Sequence, residues 1–443
     1  MARYLIAATA LPGHVLPMLA IAQHLVGLGH EVRVHTASRF RAQAEATGAG
    51  FTPFDASIDF DHHELDQRFP QRQRLPSAHA QLCFGLKHFF ADAMAAQRAG
   101  LEAILRDFAA DAIVVDTMFC GTFPLLLGPR EQRPAIVAIG ISALPLSSCD
   151  TAFFGTALPP SSTPEGRVRN RAMNANLKQA MFGEVQRYFD ALLTCAGLPA
   201  LPALPEFFID AMVKLPDLYL QLTSESFEYP RSDLPASVRF VGPLLAPASR
   251  DFVEPDWWHE LDDGRAVVLV TQGTLANLNP AQLIGPTLQG LAGAGDIQVI
   301  ATTGGPQPEA LNMAVPANAR VLPFLPYDRL LPKVHAMVTN GGYGSVNHAL
   351  SLGVPLVVAG ATEEKPEIAA RVAWSGAGIN LGNGQPTARQ VGDAVRRLLN
   401  DPAYRQRAGV LRDDFARHHA LTGISTALEA LREAAAAESV EMA

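Results

Sequence analysis

Cysteine is scarce in this chain of 443 residues, and its four copies, Cys83, Cys120, Cys149 and Cys195, fall in no CxxC spacing. That argues against a disulfide framework or a thiolate metal cluster and fits a reducing, cytoplasmic setting. Charge is thin, at 18% of residues, and the formal net charge is -8. An acidic chain lacks the basic footprint that a nucleic-acid backbone requires, so no nucleic-acid partner is expected. Missing too is any run of about 18 uninterrupted apolar residues, so no membrane span is expected. The opening "MARYLIAATALPGH" carries one Arg and is soon broken by Pro and Gly, which reads as a first strand rather than a signal peptide. What the chain does have is bulk. At 48% hydrophobic it can bury large cores, and its length implies about two to three domains.

The first third alternates strand and helix patterns. "RYLIAAT" (3–9), "EVRVHTA" (31–37), "DAIVVD" (111–116) and "PAIVAIGIS" (134–142) read as strands, with helical spacing over 16–30 and 40–50. Compact Val/Ile runs of this kind suit strands buried on both faces of a parallel sheet. A Pro/Ser-rich stretch, residues 144–166, interrupts them; it is either a mobile surface loop or an acceptor-binding loop. After a Pro-punctuated linker over 241–256 the pattern restarts at 265–274, 296–305, 318–326, 336–342 and 354–360. The expected architecture is α/β, two doubly wound Rossmann-like domains facing a cleft. Their bounds are 1–240 and 257–415, followed by a C-terminal helix over 416–443 that packs back on the first domain.

Ligands of open parallel sheets bind at the carboxyl ends of strands. After the first strand comes "LPGHVLP", without GxGxxG, and the second strand ends in His35-Thr36 rather than an acidic residue. A dinucleotide-dependent dehydrogenase is therefore disfavoured. His14 and Asp116 end up on the same edge of the first sheet. They could form a base with its orienting carboxylate, or each could merely cap a helix. In the second half three strand ends carry Thr271-Gln272-Gly273-Thr274, Thr302-Thr303-Gly304-Gly305 and Asn340-Gly341-Gly342. Glycines ahead of a helix N-terminus let backbone N–H groups approach an anion, so the segment 342–345 reads as a diphosphate seat; a plain tight turn is the alternative. "DFDHHELD" (59–66) reads as a solvated face rather than a metal cluster, and no metal is expected. The pairs Phe89-Phe90, Met118-Phe119 and Phe153-Phe154 read mostly as core. Phe89, Met118, Phe119 and Phe153 are candidates for an apolar acceptor pocket.

The blocks "GHVLPMLAIAQHLVGLGHEV", "VTQGT", "FLPYDRLL" and "NGGYGSVNHALSLGVPLVVAGATEEKPEIAARV" span nearly the whole chain. On them the sequence resembles the bacterial macrolide-type members of the family 1 nucleotide-sugar glycosyltransferases, the group of the UDP-glycosyltransferases. The resemblance implies a GT-B fold, with acceptor in the first domain and donor nucleotide in the second. It implies His14 as catalytic base, Asp116 as its partner, and Phe324, with Leu325 beside it, stacking on the donor base. Gly273, Thr274, Gly342, Gly344 and Ser345 fall at the phosphates, and Glu364 and Lys365 at the sugar hydroxyls. Three positions depart from the family pattern: Asn340 replaces a histidine, His348 stands where a ribose-binding Glu is common, and Lys365 replaces Gln. The expected activity is inverting, metal-independent hexose transfer from a UDP- or dTDP-sugar to a small apolar or aromatic hydroxyl acceptor. It would use no cofactor beyond the donor and run as monomer or homodimer. The alternatives are a non-catalytic nucleotide-sugar-binding auxiliary protein and a sugar-nucleotide epimerase of the same fold.

Overall fold

Short Val/Ile/Leu-rich runs, closed to solvent on both faces, assemble two parallel sheets in a computed structural model. It describes residues 1–61, 64–195, 206–245, 249, 251–273, 279–305, 311 and 313–441. The first domain contains β1 (Arg3–Ala7), α1 (Pro12–Gly27), β2 (Glu31–Thr36), β3 (Gly50–Pro53), α2 (Met94–Asp107) and β4 (Ala112–Asp116). It continues with β5 (Ala135–Gly140), α3 (Pro164–Cys195), β6 (Leu218–Gln221) and β7 (Val238–Phe240). These strands pair, all parallel, in the order β3-β2-β1-β4-β5-β6-β7.

The second domain contains β8 (Ala266–Thr271), α4 (Ile284–Gly290), β9 (Ile297–Thr302), β10 (Ala319–Leu322), β11 (Ala336–Thr339) and α5 (Tyr343–Ser351). Then come β12 (Leu356–Val358), α6 (Lys365–Trp374), β13 (Gly378–Asn380), α7 (Ala388–Asn400) and α8 (Pro402–Phe415). Its sheet, again wholly parallel, runs β10-β9-β8-β11-β12-β13. In each sheet the winding reverses beside the first strand, between β1 and β4 and between β8 and β11. Such switch points open a crevice at the carboxyl edge.

Strands β3, β6, β7 and β13 are not among the sequence expectations. Each is only three or four residues long. A last helix, α9 (Ala420–Glu441), leaves the second domain and lies on the first: Ala420, Ile424, Ala427 and Leu428 join the core that surrounds β1 and β4. A satellite aromatic core gathers Phe123, Phe153, Phe182, Phe189 and Phe208 along α3. Among the described residues no helix is long and apolar enough to cross a membrane.

Helices α4 and α7 approach so closely that a Cβ on Gly290 would lie 2.1 Å from the carbonyl oxygen of Ala388. The obstacle is backbone and cannot rotate away, so Gly290→Ala must push the two helices apart. Overpacking of this kind costs about 1–3 kcal/mol. Equilibrium urea denaturation should show that loss with an unchanged slope.

Candidate active site

The first turn of α1 projects from the carboxyl end of β1, and Asp116 is the last residue of neighbouring β4. The parallel register therefore brings them to one edge. His14 Nδ1 lies 2.7 Å from Asp116 Oδ1, with the histidine side chain 17% exposed and the carboxylate fully buried. The same carboxylate accepts the Thr9 N–H at 2.6 Å and the Met118 N–H at 2.9 Å. Burial works against the charge of Asp116. His14, its hydrogen bond and the two backbone donors outweigh it, so the carboxyl sits below its ordinary range. A carboxylate on Nδ1 leaves Nε2 as the ring's proton acceptor.

Opposite stands the edge of the second sheet. Thr271, Thr302 and Thr339 end β8, β9 and β11 in register. The hydroxyls of Thr271 and Thr339 each accept the N–H two residues on, from Gly273 and Gly341. Gly341 adopts φ +90°, and its missing Cβ would press on Val358. Only glycine turns the chain this tightly from β11 into α5. Gly342 is the N-cap of α5, and the helix presents the N–H groups of its first turn, through Gly344 and Ser345, toward the cleft edge. Asn340 donates from Nδ2 to the Gln272 carbonyl at 2.6 Å, tying the β8 and β11 turns together.

Phe324 is 60% exposed beyond the end of β10, beside Gly305, whereas Leu325 is buried in the second core. Thr274 lies outside the described residues. His348 is buried with its ring 5.6 Å from Tyr327 in a T-shaped contact, and burial pushes its imidazole below the usual value. Burial pushes the Tyr327 hydroxyl up, against the opposing effect of Ser345 and Thr271.

The loop from β12 into α6 carries three ionisable residues in succession. Lys365 is buried and paired with the Glu363 carboxylate. The pairing neutralises the charge that Lys365 adds in place of Gln. Glu363 adopts the left-handed φ of +56°, unusual for a non-glycine residue. Against the cost of desolvation, Lys365, then Arg72 and His14 across the cleft, hold its carboxyl low. Glu364 is pushed up, first by desolvation and then by Glu363.

Of the four candidates for an apolar acceptor pocket, two are closed off from the surface. Phe119 and Phe153 are each 2% exposed, enclosed in the main and satellite cores, and so back the walls rather than face a ligand. Met118 is partly buried against the satellite core. A π-helical turn spans Leu86–Ala91. It sets the Phe90 ring 5.9 Å from that of His14 while Phe89 packs on Phe69 at 4.7 Å. Phe90, Tyr327 and Glu363 are the site neighbours that sequence reasoning passed over. A π-turn and a strained non-glycine leave no sequence pattern. In the segment 59–66, Asp59 accepts from Ser38 and Asp61 pairs with Arg39, while residues 62 and 63 lie outside the described residues. Cys149, Asp150 and Asp233 also converge, but the two carboxylates are taken by Ser232, Arg167, Ser148 and the Cys149 N–H.

Two parallel α/β domains whose carboxyl edges meet in this way define the GT-B class of glycosyltransferase. The crystal structure of the kitacinnamycin glycosyltransferase shares the fold with a TM-score of 0.72 at 21% identity, over 97% of this chain and 98% of that one. Residues 287–431 match the erythromycin biosynthesis protein CIII-like, C-terminal domain family. The 4'-demethylrebeccamycin synthase of Lentzea aerocolonigenes is 43% identical over 97% of this chain and 99% of its own length. UDP-glycosyltransferase 2 of Phaeomoniella chlamydospora is 39% identical over 97% and 96%. The chain belongs to the macrolide-type nucleotide-sugar glycosyltransferases, and it is a glycosyltransferase.

Asp116→Asn replaces an acceptor oxygen by a donor in a ring of donors, which should cost about 1–3 kcal/mol. Because the folded carboxyl is held below its ordinary 3.8, its stabilisation is full above that value and is lost as pH falls through the folded one. Urea denaturation at stepped pH should show the gap between wild type and variant constant near neutrality and narrowing below the ordinary value.

Proposed function

We propose an inverting, metal-independent transfer of a hexose from a UDP- or dTDP-sugar to a hydroxyl of a small apolar or aromatic acceptor. The observation that carries this reading is the His14–Asp116 pair, held at 2.7 Å on the edge that faces the glycine turn of the second domain. His14 Nε2 takes the acceptor proton while the hydroxyl oxygen attacks the anomeric carbon from the face opposite the diphosphate. As the new C–O bond forms, the bond to the diphosphate breaks and the nucleoside diphosphate departs with its electron pair. Asp116 stabilises the imidazolium so formed. The N–H groups over 342–345 and the field of α5 take up the charge on the leaving diphosphate.

Phe324, exposed next to Gly305, offers a platform for the nucleobase, a contact of about 1–3 kcal/mol per base. Asn340, tied to Gln272, shapes the phosphate turn and keeps one amide hydrogen for the ligand. Glu364 and the Glu363–Lys365 pair address the sugar hydroxyls. Phe89 and Phe90 bound the acceptor, and oxocarbenium character in the transferring sugar is met by the carboxylates of the same loop. UDP and dTDP differ only at the nucleobase and ribose, and the names of the relatives favour UDP.

Incubating the purified chain with UDP-glucose and a phenolic acceptor tests the reading directly. A non-catalytic auxiliary protein would give no glycoside, and an epimerase would isomerise the donor without acceptor. His14→Ala should lower transfer to an alcohol acceptor about 10²–10⁴-fold while calorimetric UDP affinity stays unchanged. Surviving turnover would remove His14 from the base role. EDTA should leave the initial rate intact; loss of rate with rescue by Mg²⁺ or Mn²⁺ would overturn the backbone-dipole account of leaving-group stabilisation.

A further inference from the structure

Residues 144–157, in the long loop of the first domain, are bound at both ends by carboxylates that share one guanidinium. Glu367, in the first turns of α6, accepts the N–H groups of Gly155 and Ala157 on a single oxygen, Oε1, each at 2.7 Å. Its other oxygen accepts Arg371 Nη1 at 2.9 Å. Arg371 Nε donates to Glu228 Oε1 at 2.6 Å, and Glu228 Oε2 accepts the Leu144 N–H at 2.9 Å. Glu367, Arg371 and Glu228 are all buried, and the guanidinium lies over the Tyr229 ring at 4.2 Å.

An ion pair that served packing alone needs only Glu367 and Arg371, neighbours at one-turn spacing on α6. Here the carboxylate also reaches into the other domain for two amides. To present them the backbone turns left-handed at Gly155, φ +104°, and at Ala157, φ +54°. A non-glycine residue enters that region only when its surroundings enforce it. The same helix begins at Lys365, directly after Glu364, so one rigid element carries the sugar-side candidates at its start and the loop anchor within its first turn. Phe153 and Phe154, next to the anchored amides, pack respectively into the satellite core and the second-domain core.

We propose that Glu367 is a positioning residue for glycosyl transfer: it locks the acceptor-side loop to the sugar-side helix and so fixes the acceptor hydroxyl relative to the donor's anomeric carbon. This rests on the transfer reaction proposed above and takes the loop over 144–166 as bordering the acceptor, one of the two readings its sequence allows. Charge-assisted bonds to two amides, those of Gly155 and Ala157, hold a loop more firmly than neutral ones. A displacement of about 1 Å between reacting atoms costs about 10²-fold in rate. Donor binding and donor hydrolysis by water do not depend on where an acceptor sits, so the loop acts on transfer alone.

The test uses the full chain with UDP-glucose and a phenolic acceptor, comparing Glu367→Ala and Glu367→Gln with wild type. The alanine variant should raise acceptor KM about tenfold and lower transfer kcat by up to about 10²-fold, with UDP affinity and donor hydrolysis unchanged. The glutamine variant keeps a carbonyl oxygen for both amides, and should recover most of the acceptor KM. Amide hydrogen exchange should report lost protection at Gly155 and Ala157 in the alanine variant and retained protection in the glutamine variant. Transfer and hydrolysis falling together, or an unchanged acceptor KM in an alanine variant whose amides have lost protection, would overturn the proposal. Retained protection in the alanine variant would do the same. Absence of any turnover by wild type would instead refute the transferase mechanism, and the exchange measurement would still decide whether Glu367 holds the loop.

Discussion

A guanidinium withdrawn from water at the junction of two domains must be matched on every side. Arg371 meets Glu228 from the first domain, Glu367 from its own helix and the face of Tyr229. Deleting one member of such a buried set typically costs about 3–5 kcal/mol, because it strands the remaining charge. The two cores are therefore coupled through ionic chemistry as well as contact. Gln221 donating to the Tyr343 hydroxyl at 2.6 Å and Thr223 to Asn347 at 2.7 Å extend the junction along α5. Helix α5 is thus seated on the end of β6, and the distance between the two strand edges is set by buried bonds rather than by the linker.

Across that gap the two halves contribute different electrostatics. The first supplies one titratable pair, with a carboxylate whose lone pairs are spent on a ring nitrogen and two backbone amides. The second supplies dipoles, from helix N–H groups and threonine-capped turns, along a row that the parallel register fixes. Fixed dipoles need no rearrangement as charge develops. On the second edge, burial lowers the pKa of the His348 imidazole, and Lys365 is paired with Glu363.

Much of this was legible from residue order. Val/Ile runs such as "AIVVD" and "AVVLVT" announce strands covered on both faces, and their endings in Asp, or in Thr with a Gly two residues on, mark the carboxyl edges. His14 and Asp116 were found because a parallel sheet leaves little freedom about where strand ends go. Leu218–Gln221 and Gly378–Asn380 were missed because four or three residues carry no periodicity of their own. The aromatic pairs were ambiguous for another reason. Whether Phe89 or Phe90 approaches His14 depends on one extra residue in a helical turn, and whether Phe153 is wall or lining depends on the distant α3. Glu228, Glu367 and Arg371 look like ordinary surface charges in the sequence; their burial exists only once both domains are built.

The return of α9 to the first domain gives the second domain two attachments, one through residues 241–256 and one through 416–419. A body held by a single tether can swing and twist freely. Held by two, it moves most easily by rotating about the line that joins them, as a door turns on a pair of pins. Gly242 packs against His418, so the pins stand side by side. Together with the buried bonds of the junction, the two neighbouring attachments hold the strand edges in one alignment.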